Sequence, residues 1–269
     1  MKGSTQQMAF IWSKYKSWRG IVLRLLADLI DENVFAELKR HPPCYFVSDD
    51  LTWLDEAIQR AKGIFQPEIC GTLLERLPRR YQFIRAFHGC RTDSQQSYLE
   101  QGLLPSDPCD LNRIAFEVFS NKQRVEAAIQ DLVEKSLGSS YPDHNKGKVF
   151  FCLQMEHLVE DCGHYLLYGS EYLLCIANRV GEPGALRRRG RATAIECNVP
   201  IKDIPVGYLR CLAGQILREI FEKHCDRTYR TGILNFGFHI TTTLEPKSIV
   251  GVHYPRPIRN PHNFSRRED

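Results

Sequence analysis

Phe87-His88-Gly89-Cys90-Arg91-Thr92 closes a run, residues 81–87, in which aromatic and polar side chains alternate. A period of two predicts a half-buried strand, and this one is expected to end on His-Gly. An imidazole beside a glycine puts a side-chain donor and acceptor next to bare backbone, where a flat ligand could lie close for want of a Cβ. Downstream, residues 94–103 read as a short helix closed by Gly102 in the left-handed region.

Working outward, residues 8–40 carry apolar side chains at three- and four-residue steps and read as helix until Pro42 and Pro43 stop it. Residues 8–24 mix Trp12, Tyr15 and Trp18 with Lys14, Lys16 and Arg19. Such a basic, aromatic helix either packs its rings on the main domain or offers them to RNA or a partner groove. Ser48-Asp49-Asp50 predicts a cap for a helix running to Lys62, and a third helix is expected near residues 68–77. On the other side come a loop at 105–110, a helix at 121–137 and a polar loop at 138–147 of the kind that covers sites. A strand follows at 149–153, a helix at 165–180, an arginine-rich loop at 181–190 and a strand at 193–199. A long helix at 208–224 and strands at 236–243 and 248–253 complete the pattern. Short strands without sustained alternation with helices predict an α+β fold. The expected domains are a helical region 1–80, a catalytic-type domain 81–255 and a mobile basic tail 256–269.

The chain has 269 residues, 43% hydrophobic and 25% charged, an ordinary globular composition. Its net charge of +4 permits a nucleic-acid partner without requiring one. Ten cysteines are scattered with no CxxC pair. Free thiols in a reduced compartment are therefore expected, with no zinc. Neither a signal peptide nor an uninterrupted apolar run of about 18 residues stands out, so a cytoplasmic protein with no membrane partner is expected. GxGxxG and GxxxxGK[ST] are both missing, which removes the Rossmann fingerprint and the P-loop.

A strand ending in His-Gly-Cys, then a small helix and Gly102-Leu103, resembles the first motif of the ADP-ribosyltransferase superfamily, in its diphtheria-toxin-like, PARP-like branch. The resemblance implies a split sheet of short strands with flanking helices, and NAD as substrate without a metal. His88 would contact a ribose of NAD and Gly89 would pair its backbone with the nicotinamide amide, with Cys90 and Thr92 completing the cofactor-binding motif. Residues 149–153 followed by Tyr168-Gly169-Ser170-Glu171-Tyr172 resemble the second motif. That assigns Tyr168 to stack on the nicotinamide, with Tyr165 and Tyr172 as alternates and Ser170 on the carboxamide. Residues 238–252 resemble the third motif, in which a glutamate polarises the ribose. Its position falls near His239, so His239, Glu245 or Glu171 would have to serve.

The resemblance further implies transfer of ADP-ribose to a macromolecule by a bacterial toxin or antiviral defence effector, with an antitoxin or other regulator as partner. The basic balance favours nucleic acid, RNA first, over protein as acceptor, and Arg187, Arg188, Arg189 and Arg191 are the expected phosphate contacts. Two alternatives use the same fold: an NAD-using RNA 2′-phosphotransferase, and a module that binds NAD, ADP-ribose or RNA without turnover. A Cys90–His88 nucleophile is disfavoured, because nothing in the sequence marks a third group that would orient the histidine.

Overall fold

The computed structural model describes residues 8–65, 67–136, 146–226, 228–262 and 267–268. The expected polar loop at 138–147 lies almost wholly outside them. The chain divides into two compact units, residues 1–84 with 200–234, and residues 85–199 with 235–269. The second boundary differs from the expected one. The long helix Val206–Cys225 belongs with the N-terminal helices, since its Leu212, Ile216, Ile220 and Phe221 are buried there. Periodicity marks an apolar stripe without naming the surface that covers it.

In the first unit, the predicted helix over 8–40 is three elements: strand β1 (Ala9–Phe10), helix α1 (Tyr15–Leu25) and helix α2 (Glu32–Arg40). Asp31 divides the helices because its carboxylate accepts the Asn33 and Val34 amides and caps α2. The aromatic segment is core. Trp12 stacks on Trp18 at 5.5 Å, Phe10 lies 5.4 Å from Trp18, and the Trp18 indole donates to the Trp12 carbonyl. Those rings are inside, so this helix does not present them to a partner. Helix α3 (Thr52–Lys62) starts where Asp50 accepts the Thr52 amide and stops at left-handed Gly63, and α4 (Ile69–Arg76) follows.

The second unit is an antiparallel sheet with helices, consistent with the α+β class. Strand β2 (Phe83–Thr92) does not stop at His88 but runs four residues on. Its first two residues pair in parallel with β1 in the first unit. Around it lie β3 (Val149–Cys152), β4 (Arg191–Pro200), β5 (Gly237–Ile240) and β6 (Ile249–His253), in the order β5-β3-β2-β4-β6. The β3–β5 and β4–β6 pairs are antiparallel, as is β2 with β3. The strands that carry the three family-like motifs are thus neighbours.

Helix α5 (Gln96–Gln101) ends at Gly102, with φ +80° and ψ −160°. This is not the expected left-handed cap but an extended positive-φ conformation essentially reserved for glycine. It lets Leu103 exchange backbone hydrogen bonds with Leu244, whose carbonyl oxygen would lie 2.0 Å from a Cβ on residue 102. Strain and clash together make Gly102→Ala cost about 3 kcal/mol or more. A lowered urea midpoint, with unchanged slope, is the expected measurement.

Helix α6 (Pro108–Val118) occupies ground read as loop: Asp107 caps it, accepting the Cys109 amide, and Pro108 takes its first turn. Helix α7 (Lys122–Ser136) follows. The expected single helix at 165–180 is two, α9 (His164–Tyr168) and α10 (Glu171–Val180), and α8 (Met155–Glu160) precedes them. Helix α11 (Pro183–Arg188) fills part of the arginine-rich loop, and the first unit's long helix Val206–Cys225 is α12. The expected mobile tail begins with ordered structure, since Ile258 and Asn260 are buried.

Candidate functional site

Strand alternation separates the opening motif into two faces. Phe87 and Gly89 face helices α8 to α10, with Phe87 packed in the cluster that includes Leu158, Tyr168 and Ala194. His88 faces the other way, its ring 6.0 Å from that of Phe151. Its Nδ1 lies 2.8 Å from the Phe150 carbonyl oxygen. A carbonyl only accepts, so Nδ1 carries the proton and Nε2 offers a lone pair. Burial pushes the imidazole pKa below its usual range, against the raising effect of the Phe150 bond. At neutral pH His88 is an uncharged ring with one acceptor nitrogen.

The space over Gly89 is filled. A Cβ there would lie 2.7 Å from Leu158 Cδ1 and 3.1 Å from Tyr165 Cβ. The ring-bearing residue that meets Gly89 is therefore Tyr165, not Tyr168. Tyr168 is buried, and its hydroxyl accepts from Asn260 Nδ2 at 3.0 Å. Tyr172 is buried too and donates to Asn112 at 2.7 Å. Both are tied into the core. Ser170 caps α10 by accepting the Leu173 amide, an ordinary helix-start role. Tyr165 is partly exposed and its ring packs at a tilt of 40° against that of His164, with centroids 4.1 Å apart. Burial and the charge of Glu171 both raise its hydroxyl pKa.

Cys90 lies on the His88 face beside the Tyr98 hydroxyl, and burial pushes its thiol up to about 11. It is no nucleophile at neutral pH. Thr92 is occupied in a turn with Ser94. His239 pairs in register with Phe150, their rings 5.5 Å apart, so it sits two strands from Gly89. Glu245 is largely exposed on the β5–β6 turn and ion-pairs with Lys247. Glu171, in the first turn of α10, acts electrostatically on both Tyr165 and His164. Of the three residues considered for the third position, Glu171 is the one whose charge acts on the hydroxyl of Tyr165, the tyrosine whose Cβ adjoins Gly89.

The arginines divide by role. Arg187, Arg189 and Gly190 give their backbone carbonyls to the guanidinium of Arg91, and Arg191 lies 3.0 Å over the Tyr254 ring. Arg188 is exposed. No protein-family profile matches the chain, and no curated protein or solved structure matches it.

Two groupings were not anticipated. Glu196, on β4, takes hydrogen bonds from Arg85 and from His253 Nε2, the latter at 2.8 Å. Burial raises its carboxyl pKa, but these two partners outweigh it and hold the group below the usual carboxylate range. Cys152, His157 and Cys162 bring their ligand atoms within 4.8 Å of one another. The sequence signal for the latter is Cys-x4-His-x4-Cys, which a search for CxxC passes over.

Proposed function

We propose that the second unit binds NAD and transfers ADP-ribose to a macromolecular acceptor, with RNA favoured. The reading rests chiefly on Tyr165 seated on Gly89, next in sequence to a His88 whose Nε2 is a fixed acceptor. His88 and Gly89 point to opposite faces of the middle strand of the sheet, so in this reading the Gly89 contact is made by its backbone and the His88 contact by its ring. Among the described residues, β2 pairs with β3 at Phe87–Cys152 and not at Gly89.

In this reading Leu158 and Tyr165 give way over Gly89, whose backbone pairs with the nicotinamide carboxamide while the Tyr165 ring stacks on the pyridinium. His88 Nε2 accepts from a ribose hydroxyl. Glu171 supplies the carboxylate that polarises the nicotinamide ribose as its C–N bond breaks, the electron pair leaving with nicotinamide. The acceptor's nucleophilic oxygen or nitrogen then bonds to the ribose carbon and gives up its proton. The Arg187–Arg191 segment lies at the end of β2 and favours an acceptor rich in phosphate.

The test is incubation of the purified chain with labelled NAD and separate RNA, DNA and protein pools, reading nicotinamide release and label transfer. Absence of both nicotinamide release and NAD binding would sink the proposal, and binding without release would convert it to the non-catalytic module. The pH profile is a further check. A depressed His88 pKa keeps the ring neutral below the ordinary imidazole value of about 6.5. Turnover is expected to hold from pH 8 down through that value and to fall only below it. An acid limb centred at or above 6.5 contradicts the assigned state of His88.

A further inference from the structure

Cys152 ends β3, His157 lies in the middle of α8, and Cys162 sits in the turn before α9. Three short steps of chain thus fold two thiols and an imidazole onto one point. His157 Nε2 faces Cys162 Sγ at 3.5 Å, while its Nδ1 lies 2.9 Å from the Asp161 carboxylate. We propose that Cys152, His157 and Cys162 bind a thiophilic divalent cation of the zinc class.

Three features carry this. The donor set is two sulfurs and one imidazole nitrogen, the chemistry zinc prefers over harder cations. The spacing fits as well: bond lengths of about 2.3 Å to sulfur and 2.0–2.1 Å to nitrogen at tetrahedral angles give an S···N edge of about 3.5 Å. The observed separation is 3.5 Å. Finally, Asp161 holds the far nitrogen of His157, the carboxylate–histidine arrangement that fixes the tautomer and turns the other nitrogen toward a metal.

His164 stands nearby, outside the grouping whose ligand atoms lie within 4.8 Å of one another. It follows Cys162 by two residues, and its Nδ1 is buried without a hydrogen-bond partner.

Cys162, His157 and Asp161 also stand in the order of a thiol nucleophile, a base and an orienting acid. A second thiol in the cluster and a base only 3% exposed argue against that role. The cation would instead clamp the end of β3 to the turn that launches α9, three residues before Tyr165.

Cobalt(II) titration of the chelator-stripped full chain in a thiol-free reducing buffer tests the site. One equivalent should produce thiolate charge-transfer and tetrahedral d–d bands, and zinc should displace them. Cys152→Ser and Cys162→Ser should each abolish the tetrahedral signature, and Asp161→Asn should weaken binding about tenfold with the signature kept. Circular dichroism checks the variants. Should a cysteine variant unfold, zinc protection of Cys152 and Cys162 from alkylation in the unaltered chain decides, read by peptide mass. Absence of the cobalt bands, bands unchanged by the serine variants, alkylation unaffected by zinc, or a metal-free Cys152–Cys162 disulfide under the same conditions would each overturn the proposal.

Discussion

His88→Ala should lower nicotinamide release by about a hundredfold or more, the scale of losing a positioning contact at a reacting centre. The alanine removes the only acceptor nitrogen that a fixed imidazole presents on that face, and frees the Phe150 carbonyl from its bond to Nδ1. That second loss costs the fold about 1–3 kcal/mol if the carbonyl stays unsatisfied. Activity and stability must therefore be measured together. His88→Asn separates them: its amide has both a donor and an acceptor, so a large share of turnover should return. Tyr165→Phe should retain activity because the aromatic ring proposed to stack on the nicotinamide is kept, whereas Tyr165→Ala should lose it. Full release by His88→Ala in a folded protein would remove His88 from the site.

The parts legible in the sequence are those fixed by short-range chemistry. Asp50 and Gly63 bound α3 as their side-chain and backbone preferences require. The strand through His88, the strands at 149–152 and 249–253, and the long helix at 206–225 all follow from apolar periodicity. Periodicity could not say that Val206–Cys225 packs with the N-terminal helices. Nor could it say that β2 passes through His88-Gly89, because the polar Arg91 looks like a strand end until its carbonyl partners are known. Helix α6 was hidden by Pro105 and Pro108, although Asp107-Pro108 is also a proper helix start.

The candidate site was legible in outline and misplaced in detail. His88 and Gly89 are read from one motif. Which tyrosine meets Gly89 depends on the break at Gly169 that splits 165–180 into two helices, and that break turns Tyr168 inward to Asn260. The Cys152, His157 and Cys162 grouping needs the β3–α8–α9 path, which had been read as strand, gap and a single helix. Ligand atoms ten residues apart in sequence converge only because α8 intervenes.

Arg91→Met should destabilise the second unit by about 3 kcal/mol, the upper end of the range for leaving the acceptors of a charged donor unsatisfied in a part-buried network. The Arg91 guanidinium donates to the carbonyls of Arg189 at 2.8 Å, Leu166 at 3.2 Å and Gly190 at 3.0 Å, and also to Arg187. Burial and the like charges of Arg187 and Arg256 lower its proton affinity, yet the four carbonyl dipoles keep the cation in place. One side chain on β2 thus holds both the loop into β4 and the helix α9 that carries Tyr165. Methionine fills the same volume with no donor and leaves the carbonyls without their partner. Lysine keeps the charge, but an ammonium has three donors in a compact head and cannot span what a planar fork spans. Arg91→Lys is therefore expected to lose about 2 kcal/mol, well over the typical surface substitution. Urea unfolding measures both, and limited proteolysis should open first near residues 187–191. Because Leu166 adjoins Tyr165, loosening α9 should reduce NAD binding before the unit unfolds, so affinity should fall in Arg91→Lys at temperatures where its circular dichroism is still native. A variant within about 1 kcal/mol of the unaltered chain, or one that cuts elsewhere first, would show that the four carbonyls are held by something other than Arg91.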